Sequence, residues 1–370
     1  MRKPRFRQSM EVFENMLREK ELILYGKSKE TAVVCKTYKV KYIVDRNDEL
    51  CDITVGNVKI YSPDKLYCEN PENVIILVCA ADRHAYEITN AIYEIEDFTV
   101  FYWNVLKNTY LNEISNGLYD NYEKIHTIEK MLCDDYSRKV LREVVIRRII
   151  GMKSGYDDLK VRDEIQYLFP PALFSKTRGA ILDCGGYIGD TIDRFVNKLG
   201  HTLDRIYSFE VLPENIAALE KKKNEVSKIW SGEITIVPFA LADKRRIISF
   251  NETEKRGGCF SADFRNTTRY RYKNPIRIFE AEAVRIDDVV GDDESVRYIK
   301  MDIEGAEYEA LIGAEKTIRR ERPGLAISIY HNVNDYYRLA ELILSYIPEY
   351  KLAVRHHKDK HVDTVLYAWI

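Results

Sequence analysis

Short apolar runs alternate along this chain with segments whose apolar positions recur every three or four residues. That is the pattern of buried strands joined by amphipathic helices. In the first part, strands are predicted at residues 21–25, 40–44, 73–81 and 99–102, with helices over 27–36 and 83–93. Residues 128–152 and 159–168 carry helical spacing alone, and Phe169-Pro170-Pro171 punctuates their end. The alternation then resumes, with runs at 181–184, 207–209, 234–239, 298–301 and 325–330 and a terminal β pair at 350–355 and 364–369 around Lys358-Asp359-Lys360. Strands alternating with helices build mostly parallel sheets. The predicted class is α/β: a smaller Rossmann-like domain over 1–106, a helical bridge over 107–178, and a Rossmann-like domain over 179–370 whose mostly parallel sheet ends in an antiparallel pair.

At 370 residues the chain can bury two cores. Charged residues make up 31% yet nearly cancel, to a formal net charge of -2. No basic stripe emerges, so nucleic acid is not an expected partner; the basic clusters at 2–7 and 269–273 read as solvated surface. The longest apolar stretches, such as 74–81, are too short to span a bilayer, and no apolar signal core follows the basic N-terminus. The 7 cysteines form no C-x-x-C pair and no Cys/His cluster. Neither a disulfide framework nor a structural zinc is expected, and the cytoplasm is the expected compartment.

Candidate chemistry begins at Asp183-Cys184-Gly185-Gly186-Tyr187-Ile188-Gly189-Asp190, followed by Tyr207-Ser208-Phe209-Glu210. Glycines let a backbone approach a ligand that a Cβ would exclude. An acid at the tip of the second strand, roughly 20 residues past the loop, can accept ribose hydroxyls. A nucleoside-containing cofactor is predicted. A dinucleotide would want G-x-G-x-x-G facing a pyrophosphate. Carboxylates flank the glycines here, which suits a cation, so S-adenosylmethionine, with its sulfonium and ammonium groups, fits better than NAD. The plain alternative makes Asp183 and Asp190 caps of the following helix. Cys184 reads as a small buried residue more than as a catalytic thiol. Gly26 and Asp45 repeat the spacing in the first domain, but Lys27-Ser28-Lys29-Glu30 adds no further glycine. A domain that shapes the substrate cleft or an assembly interface is the stronger reading there.

From about Gly179 onward the chain resembles the FkbM-type S-adenosylmethionine-dependent O-methyltransferases. The segments that carry the resemblance are Leu182-Asp183-Cys184-Gly185-Gly186-Tyr187-Ile188-Gly189-Asp190-Thr191, Phe239-Ala240-Leu241-Ala242-Asp243, Ile286-Asp287-Asp288-Val289-Val290 and Ile299-Lys300-Met301-Asp302-Ile303-Glu304-Gly305-Ala306-Glu307. Arg322-Pro323, Tyr330-His331 and Leu366-Tyr367-Ala368 also fit, whereas Gly186-Tyr187 departs from the Ala-Asn usual in that family. The resemblance implies a class I methyltransferase fold and methylation of a hydroxyl, often on a sugar or a secondary metabolite. On this reading the cofactor is held by Asp183, Gly185, Gly186, Tyr187, Gly189, Glu210, Ala240 and Asp302.

Methyl transfer is an in-line displacement governed by alignment, and a hydroxyl nucleophile benefits from a nearby base. His331, at the carboxyl edge of the sheet, is the first candidate, with Asp302 and Glu304 as alternatives. Asp302 can instead cap a helix beginning near Gly305. Asp302, His331 and Asn332 could together hold a divalent cation that orients a diol, but with one carboxylate among them metal dependence is not the favoured reading. Of His356 and His357, strand alternation lets at most one face the cleft. Gly257-Gly258-Cys259-Phe260-Ser261 through Ile276 interrupts the rhythm with glycines and then Arg265, Arg269, Tyr270, Arg271 and Tyr272. It is read as a substrate-side insertion, or more plainly as an exposed hairpin. The acceptor is expected to be a small molecule or glycan, and no pattern sets an oligomeric state. Competing classes are a nicotinamide-dependent oxidoreductase and a non-catalytic nucleotide-binding scaffold with a relic methyltransferase domain.

Overall fold

A computed structural model describes residues 3–162, 165–171, 178–252, 259–261 and 277–370. The chain divides into two compact units. One comprises Met1–Glu123, Arg142–Asp158 and Asp359–His361, and the other Lys124–Leu141, Leu159–Lys358 and Val362–Ile370. The helical stretch read as a bridge is thus shared between them.

The first unit is built on β1 (Glu21–Tyr25), β2 (Val40–Val44), β3 (Thr54–Val55), β4 (Val58–Tyr61), β5 (Val74–Val78) and β6 (Thr99–Tyr102), ordered β3-β4-β2-β1-β5-β6. All neighbours run parallel except the β3–β4 hairpin. β5 is buried along its whole length, as a central strand covered on both faces must be, which is why it reads as an unbroken apolar run. α1 (Met10–Met16) and α2 (Thr31–Thr37) bring Phe13 and Val34 into one core with Leu22, Leu24, Ile75 and Leu77. α3 (Ala85–Ile95) buries Ile88 and Ile92, and α4 (Trp103–Leu106) and α5 (Thr109–Asp120) follow.

The single helix predicted over 128–152 is two, α6 (Tyr122–Met131) and α7 (Asp135–Ile149). Asp134 makes the break: its carboxylate accepts the Ser137 N–H and Oγ–H, each at 2.7 Å, as a helix cap does. Over 159–168, also predicted helical, the described residues form no α-helix; a 3-10 turn at Asp157–Leu159 precedes them.

The second unit contributes β7 (Ala180–Cys184), β8 (Arg205–Phe209), β9 (Glu233–Val237), β10 (Ala240–Leu241), β11 (Arg246–Glu252), β12 (Cys259–Ser261), β13 (Arg277–Val284), β14 (Val296–Met301), β15 (Gly324–Ser328), β16 (Lys351–His356) and β17 (Thr364–Trp369). Its main sheet is ordered β16-β17-β15-β14-β7-β8-β9, beside a smaller sheet ordered β10-β13-β11-β12. The five strands from β15 to β9 are parallel, and β17 and β16 are the antiparallel pair. The chain leaves β7 toward β8 and β9, then returns on the other side of β7 as β14. In open α/β sheets ligands bind beyond the carboxyl ends of the strands at such a reversal.

α8 (Asp190–Leu199) buries Ile192, Phe195, Val196 and Leu199, a single helical face. That face shares a core with Ile181, Ile206 and Leu219, the last on α9 (Pro213–Val226). α10 (Ile286–Val289), α11 (Glu307–Ile312), α12 (Glu315–Glu321) and α13 (Asp335–Tyr346) complete the unit. The Ile286-Asp287-Asp288 segment joins two of these helices. Asp287 Oδ1 accepts the Thr317 N–H and hydroxyl, each at 2.9 Å, and so ties α10 to α12. Of the predicted insertion, Gly257, Gly258, Arg265, Arg269, Tyr270, Arg271 and Tyr272 lie outside the described residues.

Candidate functional site

At the reversal, β7 runs into Gly185 at φ 86, Tyr187 at φ 46 and Gly189 at φ 88, and α8 begins at once. The glycines were expected to bare the backbone toward a ligand. Their missing side chains face protein instead. A Cβ on Gly185 would meet the Asp302 carbonyl oxygen at 2.0 Å, one on Gly186 the Ser208 Oγ at 2.0 Å, and one on Gly189 the Lys222 Cγ at 2.6 Å. The loop is therefore held against the ends of β14 and β8 and against α9. The N–H groups of Gly185 and Gly186 both donate to the Phe209 carbonyl, at 3.0 and 2.9 Å.

Glu210, at the tip of β8, completes this frame. Its Oε2 accepts the Tyr187 N–H at 3.0 Å, and its Oε1 accepts those of Val211 and Leu212 at 2.7 and 2.9 Å. Tyr187 and Ile188 form the exposed tip of the loop. Ala240 is buried in β10, paired with Ala283 of β13. Cys184 is fully buried and its thiol is pushed well up by burial, so it is a packing residue.

Neither flanking acid caps α8, whose N-cap is Gly189 with no side-chain bond. Asp190 is exposed, on an open groove of about 440 Å³ shared with Ile188 and Lys222. Asp183, by contrast, is wholly buried, with its Oδ1 3.0 Å from the Lys300 ammonium. Lys300 also donates to the carbonyls of Gly185 at 2.6 Å and Cys184 at 3.3 Å. Burial pushes the Asp183 carboxyl up against the opposing pull of Lys300. The Asp183 and Asp302 charges more than offset burial at Lys300 and hold it above its ordinary value. The charge of Asp183 is thus used to lock β14 to the loop.

The second gathering of charge lies at the ends of β14 and β15. Asp302 caps no helix: its Oδ2 accepts the Tyr167 hydroxyl at 3.0 Å and its Oδ1 that of Tyr330 at 3.1 Å. Burial would raise its carboxyl, but His331, Lys300 and the Tyr167 hydroxyl hold it below the usual range. His331 Nε2 lies 3.5 Å from Asp302 Oδ1 and 3.4 Å from Glu304 Oε2, and its Nδ1 lies 2.8 Å from Glu307 Oε1. The imidazole is only 1% exposed, whereas the side chains of Asp302 and Glu304 are 24% and 39% exposed. Carboxylates, not the imidazole, are what this cluster presents to solvent.

Asn332, which could have joined Asp302 and His331 around a cation, is engaged elsewhere. Its amide donates to the Gly305 carbonyl at 3.2 Å and to Asp335 at 3.1 Å. Among the described residues, ligand atoms of Asp302, Glu307 and His331 lie within 4.8 Å of one another. Both histidines of the terminal pair are buried: His356 Nδ1 meets the Thr364 hydroxyl at 2.9 Å and His357 Nε2 the Tyr367 hydroxyl at 3.0 Å. Neither reaches a crevice.

Residues 183–353 match the family model described as Methyltransferase FkbM domain. Over those residues the chain is similar to that family. The crystal structure of a methyltransferase FkbM from Methylobacillus flagellatus KT is similar at TM-score 0.59 and 21% identity, covering 98% of this chain and 94% of that one, and it shares the fold. A precorrin-6y C5,15-methyltransferase from Geobacter metallireducens GS-15 gives TM-score 0.32 and 13% identity over 58% of this chain and 91% of its own. A SAM dependent methyltransferase from Aquifex aeolicus gives 0.31 and 15% over 58% and 95%. No curated protein matches the sequence.

Within residues 183–353 and the segments around them, several contributors were not foreseen. Lys300 and Glu307 lie in a segment quoted for its resemblance, yet nothing in their spacing shows that one neutralises Asp183 and the other grips His331. Tyr167 stands before the domain in sequence, where a helix was predicted. Asp363 stands just before β17 at φ 62 and accepts the Gln166 amide at 3.4 Å. Burial and the neighbouring Asp302 push its carboxyl up to about 6.

Proposed function

We propose that the protein is an S-adenosylmethionine-dependent O-methyltransferase acting on a hydroxyl of a sugar, glycan or related small molecule. The observation that carries this reading is the pairing of two features across one sheet reversal. On one side stands a loop fixed by Glu210, and on the other a partly exposed acidic cluster on β14 and β15. The cofactor fits the first side by acceptor count. A carboxylate offers about four lone-pair sites, and Glu210 uses three on backbone N–H groups, which leaves capacity for a ribose hydroxyl. Its cationic groups suit the surplus of negative charge at Asp302, Glu304 and Asp190. When bound it would supply an electrophilic methyl group.

The chain's own residues would then align the acceptor and take its proton. Asp302 and Glu304 are the carboxylates that can reach a substrate hydroxyl. His331 was the first candidate base, but its burial makes it a positioning residue that holds both acids from behind. His331, Lys300 and the Tyr167 hydroxyl keep Asp302 anionic, and the Tyr330 hydroxyl also donates to it. A sugar acceptor is supported by this polar, acid-rich wall, which hydroxyl groups can satisfy. Mass spectrometry of candidate glycans and nucleotide sugars incubated with methyl-labelled donor tests the reading. One labelled methyl per acceptor is the expected gain, and transfer to nitrogen or carbon acceptors alone would refute the O-methyl assignment.

A further inference from the structure

We propose that Asp363 is the proton acceptor of the methyl transfer, working beside Asp302 and Glu304, which hold the acceptor hydroxyl. The assignment rests on the methyltransferase reading and deepens it. Topology supplies the first support. β17 runs antiparallel to β15, with Val365 opposite Ser328, and the Ile329 N–H donates to the Thr364 carbonyl at 3.0 Å. The start of β17 therefore lies at the rim where β15 ends, and Asp363 stands there, partly exposed. One dipeptide joins it to Asp302: the Gln166 amide donates to Asp363 Oδ1 at 3.4 Å and the Tyr167 hydroxyl to Asp302 Oδ2 at 3.0 Å.

The second support is how firmly this carboxylate is held. Gln166 is buried, and its side-chain oxygen accepts a bond from the Arg194 guanidinium at 3.3 Å. The backbone carbonyl of Asp363 accepts the His357 N–H at 3.0 Å. A base oriented by a third group is the recurring arrangement in activated sites. Backbone strain gathers at the same place. Among the described residues six other than glycine have positive φ, and three of them lie around Asp302: Tyr167 at 63, Glu304 at 57 and Asp363 at 62. Such conformations persist where the surrounding structure over-determines them, and they cluster at functional sites.

Charge divides the labour between the two acids. Against burial, His331, Lys300 and the Tyr167 hydroxyl hold the Asp302 carboxyl below its ordinary range, which makes it a weak proton acceptor. Burial and then Asp302 push Asp363 up to about 6, while Lys358, His331 and the Gln166 amide pull the other way. The hydroxyls of Tyr167, Tyr330 and Tyr367 also feel the Asp363 charge, and burial raises all three so far that they stay neutral. A proton acceptor works best with a value near the operating pH. Neighbouring carboxyls whose values are pushed apart take separate roles. In the reaction the acceptor oxygen bonds to the donor's methyl carbon as the C–S bond breaks, and that electron pair stays on sulfur as a neutral thioether. The hydroxyl proton passes to the Asp363 carboxylate, so the positive charge of the donor and the negative charge of Asp363 disappear together.

Initial rates of labelled-methyl transfer from S-adenosylmethionine to a panel of methyl glycosides and nucleotide sugars, taken across pH on the full-length protein, test this. In the parent, kcat/KM should fall as pH drops through about 6. Asp363→Asn should be at least about a hundredfold slower at neutral pH and lose that acid limb. Its S-adenosylhomocysteine affinity by calorimetry should be unchanged and its melting temperature no lower, which separates a lost proton acceptor from a damaged fold. A variant with the parent's rate and acid limb overturns the assignment. So does a loss confined to KM with the limb intact, which would mark a residue that only positions the acceptor. Both results leave the methyltransferase reading standing, because the parent still methylates. A parent that methylates none of the panel sinks the sugar-hydroxyl reading itself, and the role of Asp363 with it.

Discussion

Lys300→Met keeps most of the side-chain volume and deletes one buried charge. The ammonium sits 3.0 Å from Asp183 and holds the carbonyls of Gly185 and Cys184. Lys300 and Asp183 are 2% and 0% exposed, so water cannot replace the lost partner. Breaking a buried pair by removing one member costs about 3–5 kcal/mol, because the other charge stays buried. Asp183 can respond only by taking up a proton. Burial already raises its carboxyl, and without Lys300 nothing opposes that rise. A carboxyl whose folded value lies above its unfolded one favours the folded state at low pH and loses that contribution as pH climbs. The variant should therefore lose about 3–5 kcal/mol at pH 8 and less at pH 5. Urea unfolding at the two pH values measures this. The double variant Asp183→Asn, Lys300→Met should recover at least half of the loss. A loss under about 1 kcal/mol at pH 8, or a double variant as unstable as the single one, would show that the pair does not hold the loop.

Asp363→Asn tests the other perturbed acid. Its carboxyl is raised from 3.8 to about 6, so its ionisation weakens the fold as pH rises through that window. The variant should gain up to about 3 kcal/mol over the parent at pH 8 and nothing near pH 3.5 in thermal or urea unfolding; an equal gain at both would dismiss the linkage. Gly185→Ala forces a Cβ to 2.0 Å from the Asp302 carbonyl at φ 86. It should cost at least about 2 kcal/mol and weaken S-adenosylhomocysteine binding tenfold by calorimetry, and an unchanged melting temperature and affinity would show the loop packs elsewhere. Asp287→Ala removes the bonds to Thr317 and should lower stability by about 0.5–2 kcal/mol, with cofactor affinity intact.

The sheet was legible because burial on both faces writes itself as unbroken apolar runs. β1, β2, β6 and β17 have the predicted bounds, and the parallel sheet with its antiparallel end follows from the alternation. The β3–β4 hairpin was not, since its strands are short and partly exposed. The long helix over 128–152 failed at Asp134 because hydrophobic period does not register a capping side chain. At the site, Glu210 and the glycines were recognisable from spacing, but what they touch was not. Nothing in Gly185-Gly186 says that their open sides face Asp302 and Ser208. Asp183 looked like a ligand to a cation because Lys300, its partner, stands more than a hundred residues away. His331 was placed correctly at a strand end, yet its burial behind Asp302 and Glu304 depends on three chain segments meeting.

Calorimetric titration of the intact protein with S-adenosylhomocysteine, NAD and ATP, repeated on Glu210→Ala, bears most directly on the claim that this reversal holds a methyl donor. Binding of S-adenosylhomocysteine alone, weakened at least tenfold by the substitution, is the predicted result. Binding of NAD with silence toward S-adenosylhomocysteine, or full affinity in Glu210→Ala, would contradict it.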